Sequence, residues 1–100
     1  MGYIACGQYR VRGLEAQMDR LYRELMAEAS KPLRDGRDSP WVGRALQKSQ
    51  ATWFRWLDAE CDLEDSLLGT GNASAAVAMD CRAEKLRARI TVLKRLKKDK

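Results

Sequence analysis

An all-α fold, an antiparallel three-helix bundle stapled by a disulfide, is what this sequence predicts. Three observations carry that expectation. Apolar residues recur at helical spacing in three long stretches, two short segments break those stretches, and two cysteines stand at matched distances from the second break. The chain has 100 residues, 45% of them hydrophobic and 33% charged, with only two prolines, which suits amphipathic helices in a single domain spanning 1–100.

The first helix is expected over about 4–29. Ile4, Val11, Leu14, Met18, Leu21 and Leu25 follow spacings of seven, three, four, three and four, the seam of a packed helix. Ser30 to Asp38 then mixes proline, glycine and charges of both signs and reads as a loop. Ser39 offers an N-cap, and Pro40 follows at the first helical position, where its missing amide hydrogen costs nothing.

The second helix is expected over about 40–68. Its seam reads Val42, Leu46, Ser49, Trp53, Trp56, Glu60, Leu63 and Leu67, which places Trp53 and Trp56 in the core. Ser49 and Glu60 interrupt that seam. They are either satisfied inside the bundle or mark a groove where another helix docks, so the pattern leaves the oligomeric state open. Gly69, Thr70, Gly71 and Asn72 end the helix, and a third follows over about 73–97 with Ala76, Met79, Ala83, Leu86, Ile90 and Leu93 on its seam. Helices of this length with short connections run up, down and up.

Antiparallel helices place residues equidistant from a turn at the same height. Cys61 and Cys81 lie on either side of the Gly69 to Asn72 break at nearly equal remove, so they can meet. Cys6 falls at the same end of the bundle and competes for either partner. Three cysteines in so short a chain are compatible with an oxidising compartment, and an odd count leaves one thiol unpaired.

The sequence excludes much chemistry. With no histidine, Ser/His and Cys/His nucleophile pairs are missing, as is the commonest metal ligand. Cysteine spacings of 55 and 20 match neither zinc ligand pairs nor a redox pair, so no metal and no cofactor is expected. Asp58, Glu60, Asp62, Glu64 and Asp65 fall on differing faces of one helix, which disfavours a glycosidase-like carboxylate pair. The Gly69 to Gly71 segment lacks the lysine of a phosphate loop. An enzyme is not expected.

No run approaches a membrane span. The net charge of +5 is uneven: residues 82–100 hold nine Lys or Arg against two acids, leaving 10 against 12 elsewhere. A basic end of this kind touches nucleic acid, anionic lipid or an acidic partner, or is a solvated helix end whose cations complement the dipole. Trp41 and Tyr3, at helix ends, are candidate exposed anchors for a partner, and Tyr22 is placed to pack on the second helix.

In order along the chain, Cys6, then Met18, Asp19, Tyr22 and Leu25, then Ser49, Gln50, Trp53, Asp58 and Cys61, then Gly69 and Gly71, and finally Cys81, Arg89 and Leu93 form a pattern that resembles the LprI-like lysozyme inhibitors. Members of that family, small bacterial envelope proteins, show Leu-Asn-x-x-Tyr-x-x-Leu, then Ala-Gln-x-x-Trp-x-x-x-Arg-Asp-x-x-Cys, a glycine-rich turn, and Cys-x7-Arg-x3-Leu. This chain departs from the pattern with Met18 and Asp19 for Leu-Asn, Ser49 for alanine and Leu57 for arginine. Many members carry a further cysteine upstream of the one matching Cys6, and its absence here would leave Cys6 without its partner.

The resemblance implies an exported, disulfide-stapled protein of the periplasm or cell envelope, whose signal segment is absent from this chain. Tyr22, Leu25, Gln50, Trp53, Asp58 and Arg89 are then scaffold rather than chemistry. The function it implies is inhibition of a lysozyme or other peptidoglycan-degrading muramidase by protein contact. An envelope immunity or adaptor protein with a non-lysozyme partner is the alternative. A nucleic-acid-binding role through residues 82–100 ranks behind both.

Overall fold

The computed structural model describes residues 2–32, 35–37, 39–68 and 73–99, with side chains described for 8–32, 35–37, 39–67 and 76–98. The described residues form three helices, α1 (Gly2–Ala29), α2 (Pro40–Leu68) and α3 (Ala73–Asp99). The cationic run at the end of α3 is thus helical. Lys97 and Lys98 occupy its last turn, where positive charge complements the exposed carbonyls.

α1 ends in a turn in which the Ser30 N–H donates to the Met26 carbonyl at 3.1 Å and the Ser30 hydroxyl donates to the Ala27 carbonyl at 2.7 Å. Gly36 takes a positive φ of 85°, a conformation that suits glycine. Beside it the Asp35 carboxylate accepts from the Arg37 N–H at 3.1 Å and from Arg37 Nε at 2.6 Å, locking the turn. Ser39 is buried, and its carbonyl accepts the first N–H of the next helix from Val42 at 3.1 Å.

α3 lies against both other helices, whereas α1 and α2 barely meet. The molecule is accordingly long and thin, with a radius of gyration of 16.6 Å and extents of 57 × 23 × 15 Å, against about 13 Å for a compact domain of this length. Its main core joins Val11, Met18, Leu21 and Leu25 of α1 to Ala83, Leu86, Ile90 and Leu93 of α3. A smaller core at the other interface holds Leu57, Cys61 and Cys81, with Trp53 and Phe54 packed beside it. Cys61 and Cys81 are disulfide-bonded, their Cα atoms 5.6 Å apart. That bond leaves Cys6 out. The side chains of Cys6, Tyr3 and Ile4 lie outside the described residues, although their backbone belongs to α1.

The expected seam of α2 needs correction. Trp56, Leu63 and Leu67 are exposed, Trp56 at 44%, and Ser49 is exposed as well. The buried face is turned towards Gln50, Leu57 and Cys61, with Leu46, Trp53 and Phe54 half-buried along it. The physical reason is the disulfide together with Leu57: fixing Cys61 inward fixes positions one turn before it inward too, and Trp56 then points out. Leu57, where the family pattern has arginine, is completely buried.

Ion pairs tie the parallel helices α1 and α3 at both ends, Arg10 to Asp80 and Glu24 to Lys97. The hydrogen bond from Lys97 holds the Glu24 carboxyl below the ordinary glutamate range, with desolvation opposing it and the charges of Lys97 and Arg20 helping. A depressed folded-state pKa stabilises the fold above the unfolded value and loses that contribution as pH falls through the folded one. An NMR titration should therefore give Glu24 a midpoint below the ordinary glutamate value, and Lys97→Met should raise it. An unchanged midpoint in that variant would remove Lys97 as the cause.

Candidate docking groove

The residues of the family pattern on α2 and α3 converge on the seam between those two helices. Arg89 of α3 donates from Nε to Gln50 Oε1 and from a terminal nitrogen to Ser49 Oγ, each at 3.0 Å. Its guanidinium carbon also stands 5.8 Å from the centre of the Trp53 ring. Trp53 meets Phe54 edge to face with ring centroids 5.3 Å apart. Farther along, the Arg82 guanidinium donates to Asp58 at 2.8 Å, and the disulfide follows. Gln50, Trp53, Asp58, Cys61, Cys81 and Arg89 are thus consecutive rungs of one clamp.

Of the pattern residues on α1, Leu25 is in the main core. Tyr22 is half-buried and faces Gln47, Gln50, Ala51 and Phe54 across a smaller cleft between α1 and α2.

Arg89 is half-buried, and desolvation lowers its pKa from the ordinary arginine value. Its side-chain partners Gln50 and Ser49 are neutral, so its charge is not cancelled by them. Gln50 is buried and depends on Arg89 for a donor to its oxygen. Arg89→Ala should therefore cost about 1–3 kcal/mol, the usual penalty for stranding a buried acceptor, measured by urea unfolding. Arg89→Lys should recover only part of it, because one ammonium does not reproduce the fork that reaches both oxygens.

Above this clamp an open groove of about 780 Å³ runs between α2 and α3. Trp53, Trp56, Ala45 and Thr52 line it from α2, and Ala88 and Val92 from α3. Three cations, Lys48, Lys85 and Arg89, also line it, and no carboxylate does so among the described residues. Lys85 Nζ sits 5.7 Å from the Trp56 ring centre and 3.5 Å from Glu64 Oε2. That same oxygen is 3.1 Å from the Cys81 sulfur, a contact with no hydrogen bond in it because a disulfide sulfur carries no proton.

Trp56 is the groove residue that sequence periodicity hid in the core. Trp41 is 55% exposed at the start of α2 and shares the outward stripe with Ala45, Thr52 and Trp56, at helical spacings of four, seven and four. Leu96, also exposed, continues the α3 side of the groove one turn beyond Val92.

The arrangement suits adhesion. Indole faces, small side chains and long cations bind a partner by burial and charge. Among the described residues no cluster of carboxylates or cysteines could hold a metal ion, and no helix is long and apolar enough to cross a membrane.

No curated protein and no solved structure matches the chain. Residues 1–93, which take in α1, α2 and most of α3, match the family model described as lysozyme inhibitor LprI. With the stapled α2–α3 clamp in place and the match spanning nearly its whole length, the chain belongs to the LprI lysozyme inhibitor family.

Proposed function

We propose that this chain is an exported protein of the bacterial periplasm or envelope that binds a lysozyme or another peptidoglycan-degrading muramidase and blocks it by surface contact. The observation that carries this reading is the family match over residues 1–93. The disulfide between Cys61 and Cys81 supports export, because such bonds persist in oxidising compartments. Inhibition by contact requires no chemistry from the chain itself. Trp41 and Tyr3 are proposed as contact anchors, and Tyr22, Leu25, Gln50, Trp53, Asp58 and Arg89 as the scaffold that holds the contact surface.

Charge narrows the partner. A net charge of +5 repels a cationic lysozyme at long range and attracts a hydrolase with an acidic surface. The same charge favours the second reading, an envelope immunity or adaptor protein whose acidic partner is not a lysozyme.

Calorimetric titration of the oxidised protein into a panel of cationic and acidic muramidases, with cell-wall hydrolysis followed in parallel, tests the proposal. One-to-one binding with loss of hydrolysis is expected for at least one acidic member. Silence across the panel would reject inhibition and leave the adaptor reading.

A further inference from the structure

We infer that the groove between α2 and α3 is the docking site for a single amphipathic helix of the partner, one with an apolar ridge flanked by carboxylates. The inference goes beyond the inhibitor reading and holds whether the partner is a wall hydrolase or another protein.

Shape comes first. A pair of antiparallel helices has a groove on each side, and α1 lies on only one side, packed mainly on α3. On α3 the residues of the main core, Ala83, Leu86, Ile90 and Leu93, centre about 130° round the helix from Lys85, Ala88, Arg89 and Val92, given about 100° of rotation per residue, so the second set is turned largely away from α1, with Arg89 at its near edge. The second groove is open from Ala45 to Trp56 on α2 and from Lys85 to Val92 on α3, with Trp56 exposed in it and Trp41 and Leu96 exposed on the turns just beyond its lining. A helix is the convex element that fits such a trough, and seating it would complete a four-helix bundle.

Charge then chooses the helix. Lys48, Lys85 and Arg89 face the trough; Lys85 already shares the carboxylate of Glu64 outside the lining, whereas Arg89 is held there by the neutral Gln50 and Ser49. A second copy of this chain would set the same cations against one another, which is unfavourable in a poorly solvated contact. Aspartates or glutamates beside an apolar ridge satisfy both features, because the ridge covers the tryptophans and the carboxylates reach the cations.

The test is selection of a phage-displayed library of single-helix peptides on the oxidised wild-type protein. Enriched peptides are expected to carry apolar residues at i, i+4 and i+7 with acidic neighbours. Their affinity should fall about tenfold or more on Trp56→Ala, the scale of a tryptophan anchor, and likewise on Lys48→Glu. Arg12→Glu, the same charge change on the exposed face of α1, should leave affinity unchanged. Circular dichroism of each variant verifies that the helices persist. The inference is overturned by winners that are neutral or basic, by equal binding to Trp56→Ala and Lys48→Glu, or by the absence of any enriched peptide. It also fails if sedimentation shows a wild-type dimer that Trp56→Ala dissociates, since the occupant would then be a second copy. Muramidase binding that survives both groove variants would sink this inference while sparing the inhibitor reading.

Discussion

Reduction of the bond between Cys61 and Cys81 should lower the thermal midpoint by about 12–24 °C. The two cysteines are 20 positions apart, and closing a loop of that size is worth about 3 kcal/mol in the chain-entropy model. In a domain of about 100 residues each kcal/mol moves the midpoint by roughly 4–8 °C. The loss falls on the thinner of the two cores. Among the described residues, Leu57, Cys61 and Cys81 there have Trp53 and Phe54 packed beside them, whereas α1 and α3 share eight buried side chains. Melting curves followed by circular dichroism, with and without reductant, provide the measurement. A Cys6→Ser background keeps the remaining thiol from exchanging with the bridge. A drop of only a degree or two would mean that the reduced chain already holds α2 and α3 together by the Arg89 and Asp58 contacts.

The second large effect is expected at Leu86, which is completely buried between α1 and α3. Leu86→Ala should cost about 2–5 kcal/mol, because the deleted carbons leave a cavity that rigid neighbouring helices fill only in part. Trp56→Ala removes far more side chain yet should cost less than about 1 kcal/mol, since its ring is half in solvent and closes no interior space. Urea unfolding of the two variants makes the contrast sharp. Equal losses would show that the apolar face of α2 is structural, and the groove would cease to be a binding surface. The expected inequality leaves Trp56 with little work in the fold beyond its contact with Lys85.

Much of this fold is legible in the sequence, and the reason is local. Val11, Leu14, Met18, Leu21 and Leu25 carry a single apolar stripe, so one periodicity has one solution, and all five are buried or half-buried. On α3 the seam is equally unambiguous from Ala83 to Leu93. Symmetry about the second break allows Cys61 to meet Cys81 but leaves Cys6 as a competitor, and the structure joins Cys61 to Cys81. α2 is different because it carries two stripes. Trp41, Trp56, Leu63 and Leu67 outrank Gln50 in hydrophobicity, yet they are exposed and Gln50 points in. Gln50 is buried because Arg89, 39 positions away, supplies its hydrogen bond, and no window of local sequence contains both. The groove was hidden for a related reason. It exists because α1 chose one side of the α2–α3 pair, a decision made by packing between distant segments. What remained readable was chemical identity: Gln50, Trp53, Asp58, Cys61, Cys81 and Arg89, six of the residues that resemble the family pattern, lie along the seam between α2 and α3.

The covalent bridge has a last consequence, for survival among proteases. Because Cys61 and Cys81 are joined, a single peptide-bond cut anywhere between them releases nothing: the two fragments stay linked, with α1 and at least most of α2 on one and at least most of α3 on the other. A nicked molecule would run as one band without reductant and as two with it. The proposed contact surface, whose halves lie on either side of such a cut, would outlast the cleavage of the chain that connects them.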